Sequence, residues 1–279
     1  MEAEVLNAAW KKAEDALNTG FFKVLKPVIS RFESNSWPTL AALNADQLHG
    51  RVQFVVADAS VNHYELFIHQ TRTVPTRDNW HDLFNAFAWL TFPKTKAALN
   101  QAHIQHITAG GLDALKQRSP ARDAITLFDE SGIIVLSDSR ALLEQIPAFN
   151  WHNLFVQQRE AVKQHMAFIP FGHALMEKML DPYLGMVAKV ILVEVTPNFF
   201  NLDRAAQCVW CDAEVARLVV ESTIFTSPKN LLPLPFLGVP GWDARNEDAA
   251  FYANTDYFRA GSRAWSFSRK SSNDTGLEI

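Results

Sequence analysis

The sequence predicts an α+β fold that is mostly helical and contains a small, largely antiparallel sheet. Long stretches near both ends of the chain repeat apolar residues at helical spacing. Shorter runs between them alternate apolar and polar residues or are rich in Val, Ile and Leu, as strands are. Helical stretches occur before, between and after these runs, without a regular strand–helix alternation. With 48% hydrophobic and 20% charged residues, the 279-residue chain can bury a sizeable core.

The N-terminal part is predicted to be helical at 2–18, 21–33 and 39–48. In the first of these helices, Leu6, Trp10 and Leu17 fall on one face, and Gly20 separates it from the second. The runs 51–57 and 64–70 are predicted to be strands, because apolar side chains alternate in both. We expect these two strands to pair through the turn between them.

A proline marks the boundary between two central helices. Asp78 or Asn79 can cap the first of them, which carries His81. The residue before a proline is pushed out of the α region, and proline suits the first turn of a helix. Phe92 should therefore end one helix and Pro93 should begin the next.

The second half of the chain contains one predicted hairpin. Its strands at 123–128 and 133–136 flank the turn-forming sequence Asp-Glu-Ser-Gly. The remaining elements are predicted as helices at 138–146, 150–167 and 173–180, a buried strand at 188–195, and a helix at 203–221 that Asp203 caps. The proline-rich stretch 226–242 is expected to wrap the surface.

The chain length suggests one large domain with an appended segment rather than two full domains. We expect residues 1–50 to form a helical segment packed on the main domain, and residues 51–260 to form that α+β domain. Residues 261–279 are a polar tail with a composition that is compatible with disorder.

Charge and hydropathy restrict the partners. The net charge of -4 and the isoelectric point near 6.1 give no global positive field, so a nucleic acid is not a favoured partner. No run approaches the length of a membrane span, and the N-terminus has no apolar core of a signal peptide, so we expect a cytoplasmic protein with no membrane partner. The oligomeric state is not predicted by any feature of the sequence.

The two cysteines, Cys208 and Cys211, have the CxxC spacing. Redox pairs of this spacing lie where a strand turns into a helix, whereas these two fall inside a predicted helix. A single CxxC without a second pair of ligands is also a weak metal motif. We interpret both residues as ordinary buried thiols.

Two stripes of polar side chains flank the predicted helix break. His81 and Asn85 share one helix face, and Asn100 and His103 share a face of the next helix, because residues three or four apart are neighbours. If the helices fold back on each other, His81 comes level with His103 and Asn85 with Asn100. Such a cluster can bind a metal ion or polarise a substrate. The alternative is that these residues are caps, surface groups or satisfied core residues.

Two further patterns offer metal ligands. His173 and Glu177 lie one helical turn apart and can share one cation or form a hydrogen-bonded pair, although a helical ion pair is the structural alternative. Asp123 and Asp129 flank a predicted hairpin strand and can supply the oxygen ligands that hard cations prefer. Asp129 is better explained as a turn residue, whereas Asp123 falls inside a predicted strand, where aspartate is disfavoured.

Several motifs in this order resemble an uncharacterised bacterial family catalogued as DUF3025, over about residues 20 to 260. The motifs are PTRDNWHDLFN at 75–85, WLTFPKTK at 89–96, ARDA at 121–124, FDESG at 128–132, GHA at 172–174 and LGVPGW at 237–242. The resemblance implies a bacterial source and one family domain over most of the chain. It implies no activity, and the cysteine pair is not part of the family pattern.

Our first hypothesis is a metal-assisted hydrolase that acts on a phosphoryl or acyl substrate. The candidate ligands of its divalent ion, for which no metal is specified, are His81, His103 and His173 with Asp123 or Asp129. Candidate bases are Glu177 and Asp82, and the arginines that can orient a small anionic substrate are Arg77 and Arg122. Asn85 and Asn100 complete the polar cluster.

The second hypothesis is a non-catalytic binding or scaffold protein in which the polar motifs are structural caps and buried networks. Several tryptophans stand beside turn or loop signals, where large rings often anchor partners: Trp37, Trp80, Trp242 and Trp265. A flat exposed aromatic patch favours this hypothesis, and a deep pocket that joins the polar motifs favours the first.

Overall fold

The computed structural model describes residues 2–32, 36–45, 52–59, 61–111 and 113–261. The predicted polar tail therefore lies outside the described residues apart from Gly261, and so does the predicted boundary between residues 50 and 51. The α-helices of the described part are α1 (Glu2–Lys12), α2 (Glu14–Leu17), α3 (Lys26–Ile29), α4 (Leu40–Ala45), α5 (Tyr64–Thr71), α6 (Trp80–Thr91), α7 (Pro93–Gly110), α8 (Asp113–Lys116), α9 (Pro120–Ser131), α10 (Arg140–Gln145), α11 (Arg159–His165), α12 (His173–Lys178) and α13 (Arg204–Glu221).

The strands of the described part form two sheets. They are β1 (Gln53–Val56), β2 (Thr73–Thr76), β3 (Gly132–Ser137), β4 (Met166–Pro170), β5 (Ala188–Glu194) and β6 (Leu232–Leu234). β1 and β2 pair in parallel, and the larger sheet has the order β4, β3, β5, β6. Every residue of β3 is buried, so both faces of the larger sheet are covered at its centre.

The α+β class is confirmed, but the expected antiparallel sheet is only partly right. β3 pairs antiparallel with β4, and β5 pairs antiparallel with β6. At the centre of the sheet, however, β3 and β5 run parallel, with Ile134 opposite Ile191. A parallel pair needs a long crossover between its strands, and here residues 138–187, which include α10, α11, β4 and α12, make that crossover.

Two predicted strands are helices in the structure. Residues 64–70 belong to α5, where Ile68 is buried against the core. Residues 123–128 belong to α9, so the predicted hairpin around Asp129 is wrong and β3 follows a helix directly. A strand was also missed, because β4 overlaps the end of the helix predicted at 150–167 and continues into residues for which no element was predicted.

The predicted helix boundaries in the central part are confirmed. Asn79 caps α6, since its Oδ1 accepts a hydrogen bond from the Asp82 amide at 2.8 Å. α6 ends before Phe92, and α7 begins at Pro93. The carboxylate of Asp212, on α13, accepts hydrogen bonds from the Lys94 and Thr95 amides at 3.0 and 2.7 Å, so one helix satisfies the free amides of another.

Aromatic side chains join the N-terminal helices to the rest of the chain. Trp10 stacks on Trp80 with ring centroids 5.7 Å apart, and Trp37 meets Trp80 edge to face at 4.8 Å. Near the other end, Trp242 packs edge to face on Phe21 at 4.8 Å. Trp37 and Trp242 are buried, and Trp265 lies outside the described residues.

In the C-terminal part, the predicted strand and helix are confirmed as β5 and α13. Asp203 caps α13, as predicted. The proline-rich stretch contributes β6 to the sheet rather than only wrapping the surface. Cys208 and Cys211 lie inside α13 as free buried thiols, and burial raises the pKa of both, that of Cys208 to about 11. None of the helices among the described residues combines the length and the apolar character that crossing a membrane requires.

Candidate functional site

The first turn of α6 carries His81, which belongs to the candidate site, and Asp82, which is occupied by Arg77. The Asp82 carboxylate accepts hydrogen bonds from the backbone amide of Arg77 at 2.7 Å and from its guanidinium Nε and Nη2 at 2.9 and 3.0 Å. This hydrogen bonding raises the pKa of Arg77. The predicted base and the predicted anion-binding arginine therefore satisfy each other, although both line the same cavity.

α12 places a second histidine beside the first. His173 is the first residue of α12, and its ring centroid lies 4.6 Å from that of His81 at an interplanar angle of 72°. Glu177, one turn later, does not pair with His173. Its Oε2 lies 3.2 Å from Nδ1 of His81 instead, so α12 both supplies one imidazole and orients the other.

The last turn of α9 completes a candidate metal centre with Glu130. Glu130 Oε2 is 3.6 Å from His173 Nε2. One ligand atom each from His81, Glu130 and His173 lie within 4.8 Å of one another, the one such group found among the described residues. Ligands bound about 2.0–2.2 Å from a tetrahedral ion are roughly 3.4 Å apart. The three side chains would therefore fit a divalent ion after their ligand atoms approach one another by at most about 1.4 Å.

Two glycines make this convergence possible. The amide of Gly172, immediately before α12, donates a hydrogen bond to the Gly132 carbonyl at 2.9 Å. A Cβ on Gly172 would lie 2.5 Å from the Glu130 carbonyl oxygen and against the Gly132 amide. Because only glycine permits this approach of two backbones, it fixes His173 next to Glu130.

A buried ion pair lies beside the three ligands. Lys96 Nζ contacts both carboxylate oxygens of Asp129 at 2.6 and 2.8 Å and donates to Asn85 Oδ1 at 2.9 Å. Burial is the largest single effect and acts to raise the pKa of Asp129, but the charge and hydrogen bond of Lys96 and the charges of His173 and His103 together lower it. Asp129 Oδ2 is 3.9 Å from His173 Nδ1. Asp129 thus neutralises Lys96 and supports the site rather than joining its ligand set.

The predicted pairing of His81 with His103 and of Asn85 with Asn100 does not form. The Nδ2 atom of Asn85 donates to the Tyr64 hydroxyl at 2.7 Å, and that of Asn100 donates to the Glu65 side chain at 2.6 Å. α5, predicted as a strand, thus occupies part of the space between the two stripes. His103 is only 4% exposed, and its Nδ1 has no hydrogen-bond partner in the described structure.

All of these groups except Lys96, Asn100 and Glu177 line one cavity of about 830 Å³. Its wall also contains Arg118 and Arg122. Asp123, in contrast, is exposed and does not line the cavity. Of the predicted metal ligands, the structure therefore brings His81 and His173 together, places His103 and Asp129 nearby, and leaves Asp123 outside.

The site residues that sequence reasoning missed are Glu130, Tyr64, Glu65 and Arg118. Glu130 was assigned to a turn, although the pair Ser119-Pro120 is a typical helix start. In the structure Ser119 Oγ accepts from the Arg122 amide at 3.3 Å, and α9 continues to Ser131. That signal predicts a helix that carries Arg122 and Glu130 on one element.

The fold and the site define an α+β protein with a polar, histidine-containing cavity. The chain belongs to the family described as Protein of unknown function (DUF3025), with a model that matches residues 52–262. This confirms the family resemblance of the sequence motifs, and the matched region contains every residue of the candidate metal centre. No curated protein and no solved structure gave a significant match.

Proposed function

We propose that this protein is a metal-assisted hydrolase for a small anionic substrate that carries a phosphoryl or acyl group. The convergence of His81, Glu130 and His173 from three separate helices carries the proposal. Two imidazoles and one carboxylate are the ligands of several catalytic zinc sites, in which a fourth position stays open for water or substrate. When bound, a divalent ion supplies Lewis acidity and lowers the pKa of water.

The surrounding side chains suit this role. Glu177 orients the His81 ring through Nδ1, which leaves Nε2 for a metal ion. Lys96 and Asp129 form a neutral buried pair that holds the end of α9 against α7. Glu177 therefore acts as a positioning residue in this proposal, and Asp82 holds Arg77 rather than acting as a base.

The alternative of a binding or scaffold protein has less support. A deep cavity joins the polar motifs, whereas the ring systems of Trp37 and Trp242 are buried in the core. We also propose a cytoplasmic location in a bacterial cell. The free thiols Cys208 and Cys211 support a reducing compartment.

The test begins with the metal content of the purified full chain. We expect one divalent ion per chain after incubation with Zn²⁺, Mn²⁺ or Fe²⁺ and desalting, as measured by elemental analysis. His81→Gln and Glu130→Gln should lose that ion, and His152→Gln, at an exposed histidine that does not line the cavity, should retain it.

The loaded protein should hydrolyse p-nitrophenyl phosphate or p-nitrophenyl acetate faster than His81→Gln does. Wild-type protein that binds none of the three ions would refute the proposal.

A further inference from the structure

A second cluster of side chains lies in the same cavity at the N-terminal end of α9. Arg122, in the first turn of α9, is only 8% exposed, and Arg118 precedes the helix in the adjoining loop. Both line the cavity, as does His103. Burial lowers the pKa of Arg122, and the neighbouring charge of Arg118 lowers it further. Two guanidinium groups thus line one cavity, near enough for their charges to interact.

We infer that Arg118, Arg122 and His103 form an oxyanion subsite, which holds a phosphate or carboxylate group of the substrate at a distance from the reacting group. The inference rests on the proposed function, because it describes the far end of the substrate of that reaction. Arginine presents a planar array of donors that matches both kinds of oxyanion.

His103 points to a ligand independently of the arginines. Its side chain is almost completely buried, with 4% of its surface exposed, and its Nδ1 has no hydrogen-bond partner among the described residues. A buried polar nitrogen without a partner costs free energy. A neutral imidazole carries one N–H, which can donate to an anion bound between the two arginines.

Three cationic side chains, Lys116, Arg118 and Arg122, line this part of the cavity. The lining also includes the carboxylates of Asp58 and Glu65, and burial raises the pKa of Glu65. The amino end of a helix adds a partial positive charge within its first turn. A concave wall on which cationic side chains cluster in this way attracts an anionic group to their position.

The subsite and the metal ligands lie at opposite ends of α9. Arg122 and Glu130 are eight residues apart, a rise of about 12 Å along the helix. Thr126 lies between them and also lines the cavity. The charges of Arg122 and Arg118 act on His103 and that of His81 acts on His173, whereas the charges of Asp129 and Lys96 act on both histidines. The substrate that fits both ends is extended and carries its anionic group about 10 Å from the reacting bond.

The test measures the binding of inorganic phosphate to the full chain after removal of metal with a chelator. We expect saturable binding by titration calorimetry at low ionic strength, weakened about tenfold or more in Arg118→Gln and Arg122→Gln. Arg204→Gln is the matched control, because Arg204 lies on α13 and does not line the cavity. Arg118 is exposed, so its variant tests the inference even when loss of the buried Arg122 impairs folding.

Acetate, titrated in parallel, distinguishes the two sources of the oxyanion. Tighter binding of phosphate assigns a phosphorylated substrate, and tighter binding of acetate assigns a carboxylate, provided that Arg118→Gln weakens either one. The inference would be overturned if Arg118→Gln and Arg204→Gln bound these anions with equal affinity. It would also be overturned if the wild-type protein bound neither anion saturably.

The failure of the inference can be separated from that of the proposed function. If the protein binds phosphate through Arg118 but takes up no divalent ion, the anion subsite stands and the hydrolase proposal falls. If the protein binds the ion and Arg118→Gln leaves phosphate affinity unchanged, the subsite alone is wrong.

Discussion

Glu177 Oε2 lies 3.2 Å from His81 Nδ1, and this hydrogen bond joins α12 to α6 across the candidate metal centre. Carboxylates in this position fix the tautomer and the orientation of a metal-binding imidazole. The contact also determines which nitrogen of His81 faces Glu130 and His173. It therefore gives Glu177 a defined and measurable role that does not require contact with the ion.

We expect Glu177→Gln to lower the affinity for the divalent ion by about 10- to 100-fold, as is typical when such an outer carboxylate is removed. The measurement is competition against a chromogenic chelator. Glu144→Gln serves as the control, because Glu144 is also a hydrogen-bonded surface carboxylate, paired with Arg140 and remote from the cavity lining. A similar change in both variants would contradict the positioning role.

The close approach at Gly172 gives a second prediction. Gly172→Ala should push α12 away from the end of α9, since the new Cβ meets backbone atoms that cannot yield. We expect a loss of about 1–3 kcal/mol in the free energy of unfolding and a weaker metal site. Denaturant titration and metal competition measure the two effects. Gly111→Ala, where a Cβ has no neighbour within 4 Å but the φ of 63° strains an alanine, should also lower stability and yet leave metal affinity unchanged.

The Lys96–Asp129 pair gives a third prediction. Lys96→Met leaves a buried carboxylate without its counter-charge, so the free energy of unfolding should fall by about 3–5 kcal/mol. Lys96→Met combined with Asp129→Leu should recover much of that loss, because the unpaired charge is removed. Lys178→Met, at an exposed position, should change stability by less than about 0.5 kcal/mol. A double variant no more stable than Lys96→Met would show that the pair is needed for more than charge balance.

His103 gives a prediction for pH. Burial lowers the pKa of His103 to about 4 from 6.5, so the unfolded chain takes up a proton at a higher pH than the folded protein does. Stability contributed by the neutral ring is therefore present above pH 6.5 and is lost as the pH falls toward 4, by about 3 kcal/mol at most. His173, which is also buried, should add a similar loss.

The effect of His103 is isolated by comparing wild type with His103→Gln in urea titrations at pH 7.0 and pH 5.0. We expect the variant to lose less stability between these two pH values, by about 1–2 kcal/mol. His106→Gln, an exposed histidine on the same helix, should follow the wild type. Parallel behaviour of all three proteins would show that His103 does not titrate differently on folding.

Local signals predicted several elements correctly. Phe92-Pro93 fixed the junction of α6 and α7, Asn79 and Asp203 marked two helix starts, and the Val/Ile/Leu run of β5 indicated a buried strand. Each of these signals acts within one or two turns of the chain. They need no knowledge of what packs against the element.

The errors have a shared physical cause. Residues 64–70 and 123–128 are short segments in which apolar residues satisfy both the alternation of a strand and one face of a helix. In the structure Ile68 of α5 and Ile125 of α9 each face the core, and tertiary packing selects the helix. Because part of α9 was predicted to be a strand and Glu130 a turn residue, Glu130 was not identified as a partner of His81 and His173.

The convergence of the site itself depends on contacts that local patterns do not encode. His81 and His173 are 92 residues apart in the sequence, yet their ring centroids lie 4.6 Å apart. The close approach of Gly172 to the end of α9 places His173 beside Glu130. The sequence identified both imidazoles as candidate ligands, but it paired His173 with Glu177 through helical spacing. The actual contact of Glu177 crosses to another helix.

The described residues that line the cavity all fall between Ala57 and His173, whereas β5, the strand that flanks the buried β3, comes later in the chain. A gene fragment that ended in the exposed loop at Tyr183 would encode every one of those lining groups and still leave β3 without its parallel neighbour. The cavity lining and the two strands that complete the larger sheet, β5 and β6, therefore lie in separate stretches of the chain.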